Sequence, residues 1–121
     1  MQKLSLSSEE FKRLRYLFQA EVISALIPVK VTGVYVLLIE ERPIYVGRSD
    51  VCLQTRLLRH ELLGVASHFT WELSTSPEYS FLLESFLFHK WQHFNLLNQN
   101  HPARSTDFFS ICPFCHLERK Y

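Results

Sequence analysis

The chain has 121 residues, 47% of them hydrophobic, and a formal net charge of +1, which predicts one domain with an apolar core and excludes a generally basic nucleic-acid coat. It has no apolar run of about 18 residues, and the polar start MQKLSLSSEEF lacks the apolar stretch of a secretion signal. Its three cysteines do not make a disulfide framework, so we expect an intracellular, cytoplasmic protein with no membrane partner.

The first predicted element is an N-terminal helix. Ser7 and Glu10 match a capping box, and apolar residues then recur at helical spacing up to Leu26. Pro28 should end the helix. We expect residues 1–30 to form a helical extension packed on a sheet, with basic side chains that either contact DNA or simply face solvent.

Two strands, a helix, a third strand and a longer helix are predicted to follow. These elements span, in order, residues 31–39, 43–48, 53–63, 68–74 and 77–95. The first strand is apolar on both faces, which is typical of a central strand. Gly33 inside it indicates a close backbone approach or a bulge. Gly64 is predicted to cap the end of the first of these helices, and Ser76 with Pro77 to begin the second.

Residues 33–60 concentrate the side chains suited to phosphodiester chemistry. The tripeptides GVY (33–35) and YVG (45–47) are separated by nine residues, and Arg56 precedes His60 by four. Residues four apart share one face of a helix. Two phenols, a guanidinium and an imidazole provide a proton acceptor, a phosphate clamp and a proton shuttle.

This combination resembles the GIY-YIG nuclease family, over roughly residues 32 to 98. The family carries the paired tripeptides on adjacent antiparallel strands and the arginine and histidine on the next helix. Both tripeptides here have Val where the family has Ile. The implied fold is α+β, a small antiparallel three-stranded sheet flanked by helices, with an extra N-terminal helix. Residues 31–100 would form the catalytic domain, and residues 101–121 a tail packed on it.

The resemblance implies catalytic roles for six residues: Tyr35, Tyr45, Arg56, His60, Glu84 and Asn98. One phenol would be the general base for water; the sequence does not choose between them, and we favour Tyr35. The arginine would clamp the scissile phosphate. The histidine would transfer a second proton or donate a hydrogen bond to the phosphate.

Glu84 would hold Mg²⁺ or Mn²⁺, because a carboxylate among apolar helix residues needs a compensating charge. The alternative is a helix that shows Glu84 to solvent. Asn98 would orient a phosphate or a metal-bound water, or simply end a helix. Arg48 would contact the DNA backbone, as would Arg59, for which an ordinary surface charge is the alternative.

The C-terminal Cys112 and Cys115 form a CxxC pair, which is half of a zinc site. His101 and His116 are the nearest further ligands, with His93 or a second chain as alternatives. The competing interpretation is two reduced, partly buried cysteines without metal.

The predicted function is a metal-dependent endonuclease that hydrolyses DNA phosphodiester bonds by tyrosine-assisted attack of water. Because so small a domain lacks a separate recognition domain, either it cuts structured or loosely specified DNA, or a homodimer or a targeting partner supplies the targeting. Two alternatives remain open: a non-catalytic DNA-binding or protein-interaction module on the same scaffold, and a zinc-stabilised interaction protein.

Overall fold

The structure, a computed structural model, describes residues 15–98 and Cys115. Four strands, three α-helices and one 3-10 turn follow each other within these residues. They are β1 (Tyr16–Leu17), α1 (Ala20–Leu26), β2 (Gly33–Ile39), β3 (Arg42–Ser49), α2 (Leu53–Leu58), β4 (His68–Leu73), α3 (Pro77–Trp91) and the 3-10 turn Gln92–Phe94. None of these helices is long and apolar enough to cross a bilayer.

The four strands form one antiparallel sheet in the order β1-β4-β2-β3. The central strand β2 pairs with β3 on one side and β4 on the other, and six of its seven residues are buried. This confirms the α+β class, the antiparallel sheet and the central position predicted for the first long strand. The prediction of three strands was wrong by one, because β1 adds a short pair to β4.

Within the described residues, only Ala20–Leu26 of the predicted N-terminal helix are helical. Its predicted start and first turns, residues 7–14, lie outside them. Tyr16–Leu17 pair with β4 instead of continuing a helix, and the Phe18 N–H donates to the Ser67 carbonyl at 3.0 Å. Hydrogen bonds at the sheet edge thus override a helical spacing that also suits this short segment. The helix α1 ends at Leu26, before Pro28, as predicted.

The second helix is shorter than predicted and ends at Leu58 rather than near residue 63. His60 therefore follows α2 instead of lying on it, and Gly64 belongs to a later turn, with φ +94°, instead of capping the helix. The Leu62 N–H donates to His60 Nδ1 at 3.1 Å. Such a local bond offers the backbone an alternative to the next helical hydrogen bond.

The sheet separates two apolar layers. On one face Tyr35 and Leu37 pack with α1 and α2, and on the other Val36 and Leu38 pack against Phe88 of α3. Successive strand residues point to opposite faces. Residues from both layers therefore meet only around an edge of the sheet, and β3 is one of its two edge strands.

The third helix begins as predicted, with Pro77 as its first residue. The side chain of Ser76 accepts a hydrogen bond from the Tyr79 N–H at 3.1 Å. This cap satisfies one of the free N–H groups at the start of α3. It fixes where α3 starts, and hence where its side chains lie along the sheet.

Gly33 sits where two backbones approach closely, as predicted. A Cβ atom at this position would lie 2.3 Å from the carbonyl oxygen of Glu72 on β4 and 3.1 Å from a Leu53 methyl group. Since both neighbours are packed, a side chain would push β2 away from β4.

We expect Gly33→Ala to lower the free energy of unfolding by about 1–3 kcal/mol, the usual cost of overpacking. Urea denaturation followed by circular dichroism measures this change. Val65→Ala, at a side chain that is 59% exposed, is the control and should change stability little. Equal stability of Gly33→Ala and the wild type would contradict the close approach.

Candidate active site

Tyr35 reaches the edge of the sheet across a glycine. In the β2–β3 pairing Tyr35 is opposite Gly47, and a Cβ atom at Gly47 would lie 2.4 Å from the phenol oxygen and from Cζ of Tyr35. Any side chain there would displace the ring. The glycine of the YVG tripeptide thus makes room for the tyrosine of the GVY tripeptide.

The two phenols and the imidazole form one aromatic group. The rings of Tyr35 and Tyr45 are stacked with centroids 6.2 Å apart and planes 7° apart. The His60 ring stands at 89° to both, 4.7 Å from Tyr45 and 5.6 Å from Tyr35. Tyr35 is fully buried, whereas Tyr45 is partly exposed.

Arg56 connects this group to solvent. Its Nε donates to the phenol oxygen of Tyr35 at 3.3 Å. Burial raises the pKa of Tyr35 to about 12, although the guanidinium opposes the shift. The pKa of Arg56 is raised in turn, first by the hydrogen bond to Tyr35. Tyr35 is therefore a neutral hydroxyl that holds Arg56.

A backbone hydrogen bond determines which ring nitrogen of His60 carries the proton. Because Nδ1 accepts the Leu62 N–H, the proton of the neutral ring is on Nε2. Burial lowers the pKa of His60, and the guanidinium of Arg56 lowers it further. Near neutral pH the ring is thus uncharged and offers an N–H donor.

Glu84 does not face solvent, contrary to the alternative considered for α3. It is 8% exposed, and its Oε1 accepts a hydrogen bond from Arg48 Nη1 at 2.8 Å. Arg48 also pairs with Asp50 at 3.3 Å. Burial raises the pKa of Glu84 to about 7, against an opposing effect of Arg48. The second carboxylate oxygen has no hydrogen-bond partner among the described residues.

Asn98 binds the edge strand with both atoms of its amide. Oδ1 accepts the Val46 N–H at 3.2 Å, and Nδ2 donates to the Val46 carbonyl. The neighbouring Leu97 N–H donates to the Ile44 carbonyl at 2.7 Å. The side chain thus continues the sheet and holds β3 between Tyr45 and Gly47.

Two clefts open along β3. The first, here called the edge cleft, has a volume of about 400 Å³ and is lined by Tyr45, Gly47, Arg48, Arg56, Glu84 and Asn98. The second, the helix cleft, has a volume of about 700 Å³ and its lining includes Tyr45, Ser49, Thr55, Arg56, Arg59 and His60. Tyr45 and Arg56 line both clefts.

The predicted catalytic and DNA-contacting residues thus lie along one edge of the sheet, with Tyr35 buried behind Gly47. Asp50 was not considered as a site residue in the sequence. It directly follows β3, two residues after Arg48, and this close spacing of opposite charges was the signal that the sequence offered.

Of the predicted zinc ligands, only Cys115 and the alternative ligand His93 lie within the described residues. The second residue of the CxxC pair has a different neighbour. Its Sγ lies 3.4 Å from His89 Nε2, a histidine that the sequence had not suggested as a partner. Cys112, His101 and His116 lie outside the described residues. Within residues 15–98 and Cys115 no group of three or more candidate ligands occurs, so the zinc site stays a prediction.

Neither a protein-family model nor a curated protein matches the chain. Among solved structures, the chain is similar to the crystal structure of the GIY-YIG N-terminal endonuclease domain of UvrC from Thermotoga maritima bound to its catalytic divalent cation, magnesium. The identity is 24%, the match covers 60% of this chain and 92% of that chain, and the TM-score is 0.49. A similarity of this degree assigns neither an activity nor a cation to this chain.

The raised pKa of Glu84 predicts a loss of stability on going from acid to neutral pH. Its pKa is about 7 in the folded chain against a usual value of 4.5, so the folded state holds the proton more tightly. Between these values the free energy of unfolding should fall as pH rises, by up to about 3 kcal/mol.

We expect Glu84→Gln to remove this part of the pH dependence. Urea unfolding in buffer with EDTA at several pH values measures it, with Glu72→Gln, an exposed residue of β4, as the control. Parallel pH profiles for the wild type and Glu84→Gln would show that the carboxyl titrates normally.

Proposed function

We propose that this chain is a metal-dependent endonuclease that hydrolyses phosphodiester bonds of DNA. The observation that carries the proposal is the edge cleft, where a phenol, a guanidinium and a buried carboxylate converge on one space. The resemblance of the paired tripeptides to the GIY-YIG nucleases adds to it. These groups supply a proton acceptor, a phosphate clamp and a cation ligand.

Tyr45 is our candidate for accepting the proton of the attacking water. It is partly exposed and lines both clefts, whereas Tyr35 is fully buried and its pKa of about 12 disfavours ionisation. This replaces our preference for Tyr35 from the sequence. Tyr35 instead positions Arg56 through the hydrogen bond to Nε.

Arg56 is placed to hold the scissile phosphate. Its Nε donates to the Tyr35 hydroxyl, and the residue is exposed, so the outer side of the guanidinium can reach a phosphate. A guanidinium fixed at one nitrogen loses less freedom on binding, and it can offset the charge that develops on phosphorus in the transition state.

His60 donates to a phosphate oxygen in this proposal rather than accepting a proton. Its Nδ1 is occupied by the Leu62 N–H, and its lowered pKa keeps Nε2–H as a neutral donor. Arg59 lines the helix cleft together with His60 and is exposed, which suits a contact with a flanking phosphate.

The residues of the edge cleft fit a divalent cation with few protein ligands. Glu84 offers one carboxylate oxygen without a partner among the described residues, and Mg²⁺ commonly keeps several waters while binding one or two carboxylates. Glu84 would hold the ion. When bound, the cation would polarise the phosphate and stabilise the leaving oxygen.

The alternative of a non-catalytic DNA-binding module is favoured by one contact. Arg48 already neutralises Glu84 at 2.8 Å, which is how a carboxylate would be satisfied without a metal. A module of this kind would still bind DNA through its arginines but would not cleave it.

Cleavage of supercoiled plasmid with Mg²⁺ or Mn²⁺ tests the proposal. We expect nicking or linearisation by the wild type, a loss of about 10²-fold or more in Tyr45→Phe and Glu84→Gln, and a smaller loss, about 10-fold, in Tyr35→Phe. The smaller loss follows because Tyr35 only positions Arg56.

Tyr79→Phe is the matched control for the tyrosine variants, since Tyr79 is 45% exposed on α3 and lines neither cleft. Cleavage activity that persists in Glu84→Gln would contradict the proposal that Glu84 holds the cation. A wild type that binds DNA and never cuts it would establish the binding module.

The donor role of His60 has its own test. We expect His60→Gln, whose side-chain amide can donate, to retain about 10-fold more activity than His60→Ala. The rate of plasmid nicking by both variants measures this. If the two variants are equally impaired while folded, donation from this position is not what matters.

A further inference from the structure

Arg48 is held between two carboxylates and an aromatic ring. It donates from Nη1 to Glu84 Oε1 at 2.8 Å and from Nε to Asp50 Oδ2 at 3.3 Å. Its guanidinium carbon lies 5.7 Å from the centre of the Phe81 ring. The side chain is 13% exposed, so its position is fixed from three sides.

This arrangement makes the edge cleft unfavourable for a cation. Its charged lining consists of two guanidinium groups, Arg48 and Arg56, against the single carboxyl group of Glu84. A cation that approaches Glu84 meets the Arg48 guanidinium on the same carboxylate and is repelled by it.

A DNA phosphate changes this balance. It brings the negative charge that the cleft lacks, and guanidinium groups bind phosphate strongly, often through two nitrogens. Nη2 of Arg48 has no hydrogen bond among the described residues, so a phosphate can engage it there and then compete with Glu84 for the same guanidinium.

We propose that Arg48 couples DNA binding to cation binding by exchanging Glu84 for a DNA phosphate, which frees Glu84 for the cation. This rests on the proposed nuclease function. The cation then binds weakly to the DNA-free protein and much more tightly to the complex. By linkage, the cation must tighten DNA binding by the same factor.

The test measures binding rather than cleavage. Mn²⁺ affinity is determined by electron paramagnetic resonance at a pH of about 8.5, where carboxylates are normally ionised. It is measured with and without a saturating short duplex of phosphorothioate linkages, which keep the phosphate charge and resist hydrolysis. The proteins are the wild type, Arg48→Gln, Glu84→Gln and Arg59→Gln, each checked for folding by circular dichroism.

For the wild type we expect DNA to tighten Mn²⁺ binding by about 10-fold or more, and Mn²⁺ to tighten DNA binding equally. In Arg48→Gln this factor should fall below about 3-fold, a range where coupling is weak. Arg59→Gln removes the same charge in the helix cleft; it should weaken DNA binding but keep the factor of the wild type.

An unchanged factor in Arg48→Gln overturns the exchange while leaving the proposed function standing. A factor near one in the wild type overturns the exchange as well. The wild-type measurement is sufficient for this test if Arg48→Gln does not fold. Mn²⁺ binding that is the same in Glu84→Gln as in the wild type, or no DNA binding at all, would instead refute the proposed function together with the exchange.

Discussion

The contact between the Tyr35 ring and Gly47 is the constraint on which the rest of the site depends. It requires the exact register of β2 with β3, since a shift by one residue would put a side chain where the phenol passes. The same register stacks Tyr35 on Tyr45 and brings the Tyr35 oxygen within reach of Arg56. Two short tripeptides thereby determine the position of a guanidinium that comes later in the chain.

The candidate site is assembled from both faces of the sheet because β3 is an edge strand. Tyr45 points to the layer of α1 and α2, and Arg48 points to the layer of α3. Only at an edge can groups from opposite faces line one cleft. The aromatic group packs with α1 and α2, whereas the ion pair of Arg48 with Glu84 is held by α3. The two groups line the same cleft, together with Gly47 and Arg56.

Elements that follow from neighbouring residues were predictable from the sequence. Elements that depend on contacts with distant residues, or on one hydrogen bond replacing another, were not. The buried central strand follows from its apolar composition, and the start of α3 follows from Ser76 and Pro77. The pairing of Tyr16–Leu17 with β4 could not be predicted, because it needs a strand about 50 residues away. The early end of α2 depends on the His60 ring accepting a backbone N–H, which a helical pattern does not reveal. The Arg48–Glu84 pair joins residues 36 apart in sequence, so it emerges only from the packing of α3 on the sheet.

The amide of Asn98 also affects whether β3 can pair with a strand of another chain. The outer side of an edge strand is a row of unpaired donors and acceptors, and such a row templates pairing with strands of other chains. Asn98 and Leu97 occupy part of that row on β3, with a side chain taking the place of a neighbouring strand at Val46. The edge that lines the candidate site is thus also an edge at which a strand of another chain could pair. A strand of another chain could pair with β3 at these residues only by displacing Asn98 and Leu97.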